Sequence, residues 1–156
     1  MATPARRITT SILRVPALSL SRAALKKDEL VYVLVADKKL RYPSGRSRIA
    51  YIGMTESGVH RITKSAADRA EKILSQPGVE EFMARVVHFP LIDKRSARHW
   101  KKRPSLLLER ALLISFREKY GDIPLCNSTG SKMKATNGEF QCFGQHRIGV
   151  VLEDLA

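Results

Sequence analysis

The chain has 156 residues, 44% of them hydrophobic, with a formal net charge of +13 and an isoelectric point near 10.2. That length suits one domain with a real core, and no run approaches the ~18 apolar residues of a membrane-spanning helix. So basic a balance points to a polyanionic partner, usually nucleic acid, against the plainer reading of a soluble basic protein.

The charge is also segregated. Residues 1–27 carry six basic side chains and no acidic one. Residues 37–48 carry Lys38, Lys39, Arg41, Arg46 and Arg48 against Asp37 alone, and residues 92–103 carry Lys94, Arg95, Arg98, Lys101, Lys102 and Arg103 against Asp93 alone. These three stretches hold more than half of the basic residues and only two of the acidic ones, a separation that uniform solvation does not require. The two later stretches are the expected nucleic-acid contacts.

In chain order, residues 1–28 form a basic amino-terminal extension. Arg-rich, Ser-rich and acid-free to Lys27, it is read as a bacterial-type extension, with an organellar transit peptide as the alternative of similar composition. Ile8, Ile12, Leu13 and Val15 offer it apolar anchors, and Ser19 stands where it would cap a short helix over 20–25. Residues 29–156 are read as one domain.

Leu30-Val31-Tyr32-Val33-Leu34-Val35 is apolar on both faces, as in a central strand, and Arg48-Ile49-Ala50-Tyr51-Ile52-Gly53 is a second strand. Pro43-Ser44-Gly45 between them predicts an antiparallel hairpin with a long polar loop. A helix follows from near Gly58 to Ser75, with Val59, Ile62, Ala66, Ala70 and Ile73 on one face and Gln76-Pro77-Gly78 as its stop. Met83–Phe89 reads as a third strand, with His88 a structural histidine.

Trp100, inside the second basic loop, is placed either to stack on a base or to anchor the loop. Pro104-Ser105 starts a second main helix that runs to Tyr120 and stops at Gly121. A Gly/Ser/Lys loop over 128–138 and a terminal strand at Arg147–Leu152 complete the reading. The periodicities describe an α/β (α+β) unit, a small central antiparallel β-sheet flanked by helices. Two cysteines, Cys126 and Cys142, cannot build a disulfide framework, which favours a reduced, cytoplasmic setting and two small buried thiols.

Tyr51-Ile52-Gly53-Met54-Thr55, with Arg61 ten positions after Tyr51, resembles the signature of the GIY-YIG nuclease family. Val31-Tyr32-Val33 stands where that family has its first tripeptide, Glu109 lies inside a helix, and Asn127 follows Pro124-Leu125 in the family's order. The resemblance covers about residues 30–127. It implies the same fold and a DNA endonuclease that hydrolyses phosphodiesters with Mg²⁺ (or Mn²⁺). It also implies Tyr32 as general base with Tyr51 beside it, Arg61 on the phosphate, Glu109 on the metal and Asn127 shoring up the site. The chain departs from the pattern at Val31, which replaces a glycine, at Met54, and in a 19-residue spacing of the two tyrosines that places an insertion in the hairpin loop.

The chemistry suits those residue types. Phosphodiester hydrolysis needs an activated water, charge neutralisation and help for the leaving oxygen. Arginine clamps phosphate with a fixed fork of donors, and a tyrosinate takes a proton from water if cations push its pKa below ~10. On a helical wheel Arg69 borders the apolar face beside Ile62 while Arg61 falls towards the polar side; the offset from Tyr51 favours Arg61. Glu109 projects among Leu106, Leu112, Leu113, Phe116 and Tyr120, where an unpaired carboxylate costs several kcal/mol, so it is protonated, salt-bridged to an arginine or bound to a divalent metal. One carboxylate plus waters suits Mg²⁺ better than zinc. The competing readings are a non-catalytic nucleic-acid-binding module that retains the fold and a structural ribonucleoprotein component. The Tyr-Tyr-Arg-Glu-Asn set speaks for the enzyme, because binding needs none of them. One active site per small domain nicks DNA unless two copies pair on the substrate.

Overall fold

The structure, a computed structural model, describes residues 16–22, 30–87, 104–140, 143 and 145–156. Among these the chain forms β1 (Leu30–Tyr42), β2 (Gly45–Thr55), α1 (Val59–Leu74), β3 (Phe82–Val87), α2 (Pro104–Tyr120) and α3 (Gln145–Leu155). The strands make one antiparallel sheet in the order β2-β1-β3. This is the expected α+β architecture. His88, the basic stretch 92–103 with Trp100, Cys142 and most of the amino-terminal extension lie outside the described residues. No helix among the described residues is long and apolar enough to cross a membrane.

β1 is central and buried on both faces, and the period of two along a strand splits its side chains between two cores. Val31, Val33 and Val35 pack with Leu107, Leu112 and Phe116 of α2 and Ile148 and Leu152 of α3. Leu30, Tyr32, Leu34 and Ala36 pack with Ile62 and Ile73 of α1. The sheet therefore lies between α1 on one face and α2 with α3 on the other. Each large side chain buried this way stabilises the fold by about 1.5–3 kcal/mol.

The hairpin differs from the expected long polar loop. Tyr42 pairs with Gly45, so the turn is Pro43-Ser44 alone, and the basic stretch 37–48 is mostly strand. The extra residues sit in a bulge instead. Between the pairs Val35–Ile49 and Leu40–Ser47, Ala36–Lys39 of β1 stand opposite Arg48 alone. Asp37 pins this bulge: its N–H donates to the Glu81 carbonyl at 3.0 Å, and its carboxylate accepts the Glu80 N–H at 3.2 Å. The tip is seated on the end of α2, where the Ser44 N–H donates to the Tyr120 carbonyl at 2.9 Å. Gly121 has φ 83°, and a Cβ there would stand 2.6 Å from Ser44 Oγ, so both backbone angle and space require glycine.

The carboxy-terminal run is a second correction. Arg147–Leu152 forms part of helix α3, not a strand. Its apolar run is short and β-branched, which leaves helix and strand undistinguished by pattern alone. Packing decided the matter: Ile148 and Leu152, four apart, are buried against α2, while Arg147, Val150 and Glu153 face out. α2 runs over Pro104–Tyr120 as expected, but it is buried on more than one face, and Leu106 is 36% exposed. The loop after α2 is tied to it by arginines. Arg110 Nε donates to Glu139 Oε1 at 2.7 Å, and Arg117 donates to the carbonyls of Gly130, Ser131 and Met133.

Candidate active site on strand β2

The β1–β2 register sets Tyr32 opposite Gly53 and Leu34 opposite Tyr51, which brings both tyrosines to the α1 face. Their ring centroids are 5.9 Å apart. Gly53 explains how this is possible. A Cβ on it would lie 2.5 Å from Tyr51 Cε1 and 2.7 Å from Tyr51 Oη, so the ring lies back over the glycine two residues along its own strand. Any side chain at 53 would evict it.

α1 covers the other side of the ring. Arg69 lays its guanidinium over Tyr51, with Cζ 3.8 Å from the centroid, a cation–π contact. Its Nη1 donates to Ser65 Oγ at 2.9 Å and to the Ser65 carbonyl at 3.1 Å. Ser65 is buried on the helix face that meets the sheet, beside Tyr32. Sequence reasoning missed this serine. The signal was a small polar residue inside the apolar stripe, three after Ile62 and four before Arg69.

The two tyrosines are not equivalent. Tyr32 is 1% exposed, and burial pushes its phenol up to about 12, with a hydrogen bond from Ser65 pulling the other way and Tyr51 adding to the rise. Tyr51 is half-buried. Arg61 is exposed on the first turns of α1, and Arg69 is the arginine that touches the tyrosine pair. The two candidate arginines therefore occupy different places.

β2 is an edge strand, and its outward backbone groups need partners. Three different groups supply them. The Ala50 carbonyl accepts the Cys126 N–H at 2.8 Å. Asn127 Oδ1 accepts the Ile52 N–H at 3.0 Å, and its Nδ2 donates to the Ile52 carbonyl at 2.8 Å. The Met54 N–H faces the Glu109 carboxylate and favours its charged form. Tyr42 holds the 124–127 segment in place, since its hydroxyl donates to the Ile49 carbonyl at 2.6 Å and accepts the Leu125 N–H at 3.1 Å.

Glu109 thus sits at the rim of α2 rather than in the middle of its apolar face. It is half-buried, and burial raises its carboxyl pKa, with the Met54 N–H opposing the rise. Among the described residues it makes no ion pair. Among the described residues, a buried acid that is salt-bridged is Glu139, to Arg110. Among the described residues no group of three His, Cys, Asp or Glu side chains could hold a metal ion. Cys126 is half-buried and free, with its thiol pushed up by burial.

Of the basic residues expected to meet nucleic acid, Lys38, Lys39, Arg41 and Arg46 are exposed on the bulge and hairpin. Arg41 and Arg46 are directly opposite each other, a like-charge pair that a sheet does not favour for its own sake. Arg48 is half-buried and donates from Nε to the Ala156 carbonyl at 3.3 Å. Lys94, Arg95, Arg98, Lys101, Lys102 and Arg103 lie outside the described residues. No family model, curated protein or solved structure matches the chain.

Proposed function

We propose that this chain is a metal-dependent DNA endonuclease, hydrolysing phosphodiester bonds in the manner of the GIY-YIG family that its sequence resembles. One observation supports the reading above the rest: Tyr32, Tyr51, Glu109 and Asn127, picked out by the family resemblance along some hundred residues, all meet on the four-residue stretch 51–54 of β2.

In this reading the half-buried Tyr51 is the tyrosine a substrate reaches, and it takes the proton from the attacking water. Tyr32 lies behind it, where its buried hydroxyl orients Tyr51 and Ser65 instead of meeting water itself. Exposed Arg61 meets the phosphate. Asn127 holds β2 so that Tyr51 and Glu109 keep their relative positions. Glu109 fits a hard divalent cation, since it offers a carboxylate with no competing cation among the described residues, and Mg²⁺ (or Mn²⁺) keeps most of its own waters. When bound, such an ion neutralises charge on the phosphate and eases departure of the leaving oxygen.

Incubation with supercoiled plasmid tests this, with and without Mg²⁺. Nicked circles are expected only with the divalent ion, and linear product only where two copies act together. Failure to nick under any divalent ion would sink the proposal. The burial of Tyr32 favours a second reading, a binding module that retains the fold, and retarded but intact plasmid is its signature.

A further inference from the structure

We propose that the Nε–Nη2 edge of Arg69 is a receptor for a phosphate oxygen of a bound polynucleotide, distinct from any contact made by Arg61. The guanidinium is held in one plane by its stack on Tyr51 and by the two hydrogen bonds from Nη1 to Ser65. Those contacts use one end of the fork and leave the other. Nε is buried and has no hydrogen-bond partner, and Nη2 donates to no acceptor among the described residues.

Nε has no open surface, so an acceptor from outside meets Nη2 first and pairs with Nε only as the guanidinium shifts on the Tyr51 ring; the unmet donor, which costs the folded state free energy, favours that shift. The Nε–Nη2 edge is also the one whose two parallel N–H groups match a phosphate or carboxylate.

The surroundings favour an anion. Arg69 makes no ion pair among the described residues, and Asp68, its chain neighbour, is engaged by Lys64 at 2.8 Å. Lys72, three residues on, reaches the same side of α1. Its charge and that of Arg69 both act on the Cys126 thiol, pulling against the rise that burial causes. Two positive charges therefore lie within electrostatic reach of the 124–127 segment. The identity of the ligand as a phosphodiester rests on the nuclease reading; the site itself rests on the arginine's geometry.

The test is binding, read on the wild-type chain by the arginine Nε–Hε resonances in ¹⁵N–¹H NMR, with Arg69→Gln or Arg69→Lys used for assignment. Inorganic phosphate and a short oligothymidylate are titrated separately. The Arg69 Hε signal is expected to move downfield and saturate with both, at lower concentration with the oligonucleotide, and to reach the same end-point shift in an Arg61→Gln background, where more oligonucleotide is needed to saturate it. Arg69→Lys keeps the charge but loses the fork, and should weaken oligonucleotide binding about tenfold. If the signal ignores both probes while the oligonucleotide binds, Arg69 is a structural stack and the proposal is overturned. A response to inorganic phosphate alone overturns the polynucleotide assignment. Because no cutting is measured, a protein that never nicks plasmid can still pass this test, and one that nicks can still fail it.

Discussion

Asn127 is bound to Ile52 as a neighbouring strand would be, accepting its N–H at 3.0 Å and donating to its carbonyl at 2.8 Å. A single side chain so completes the edge of β2 at the residue between Tyr51 and Gly53. Asn127→Ala should destabilise the fold by about 2 kcal/mol, since two backbone groups lose their partners. Asn127→Asp is nearly the same shape but has no donor, and sets a carboxylate oxygen against the Ile52 carbonyl. It should cost at least as much. Urea denaturation measures both; an aspartate variant as stable as wild type would show that the amide is not making these bonds.

The contact between Tyr51 and Gly53 makes a separate prediction. Gly53→Ala places a methyl where the Tyr51 ring now lies, so the ring must swing out and leave Arg69. The expected stability loss is about 1–3 kcal/mol, as for other overpacked sites. Plasmid nicking should fall much further than stability, because the same change moves the hydroxyl proposed to take the proton. Aromatic NMR shifts of Tyr51 unchanged in the variant would contradict this.

Glu109 links stability to pH with a definite sign. Its carboxyl pKa is raised by burial, so the folded chain holds the proton more tightly than the unfolded chain. Its contribution to stability is fully present below the unfolded value near 4.5 and is lost as pH rises through the folded value. Glu109→Gln removes that loss and still offers an oxygen to the Met54 N–H. The variant should match wild type at low pH and exceed it near neutrality, yet fail to nick plasmid at any Mg²⁺ concentration. A variant that nicks normally would remove Glu109 from metal binding, and one less stable at neutral pH would mean that its charge is favourably paired.

Tyr32 and Tyr51 should separate in kinetics and in titration. Tyr51→Phe is expected to abolish nicking with DNA affinity nearly intact, while Tyr32→Phe slows it less. The reverse order would restore Tyr32 as the group that takes the proton. Independently, the Tyr32 phenol stays protonated to about 12, so its contribution is present below 10.0 and lost as pH rises through that higher value. Tyr42 is raised by burial to about 12 as well. Absorbance at 295 nm should show the buried phenols ionising only as the fold opens.

The basic hairpin should act through salt-dependent binding. Replacing Lys38, Lys39, Arg41 and Arg46 by Gln is expected to reduce the slope of log K against log salt by about 0.9 for each duplex phosphate that is no longer neutralised. Stability should hold or rise slightly, since the opposed Arg41 and Arg46 repel. An unchanged slope would mean that this surface does not meet DNA.

Much of this was legible from sequence. β-branched runs around Tyr32 and Tyr51 marked two strands because such side chains suit a pleated, packed surface, and Pro104 and Gly121 bounded α2 because each has a backbone preference of its own. Periodicity settled which face of α1 meets the sheet. These are local properties, carried by a few consecutive residues.

Tertiary packing decided the rest. Helix α3 replaced an expected strand because Ile148 and Leu152 found α2 to pack on, and a short apolar run carries no such information by itself. The long spacing between the tyrosines became a bulge rather than a loop because Asp37 binds residues 80 and 81, more than forty positions away. The burial of Tyr32, the seating of Arg69 rather than Arg61 on Tyr51, and the anchoring of Glu109 and Asn127 to β2 are likewise set between segments far apart in the chain. A family resemblance in the sequence can name the candidate side chains of such a site, but which of them meets solvent depends on what the rest of the fold lays over it.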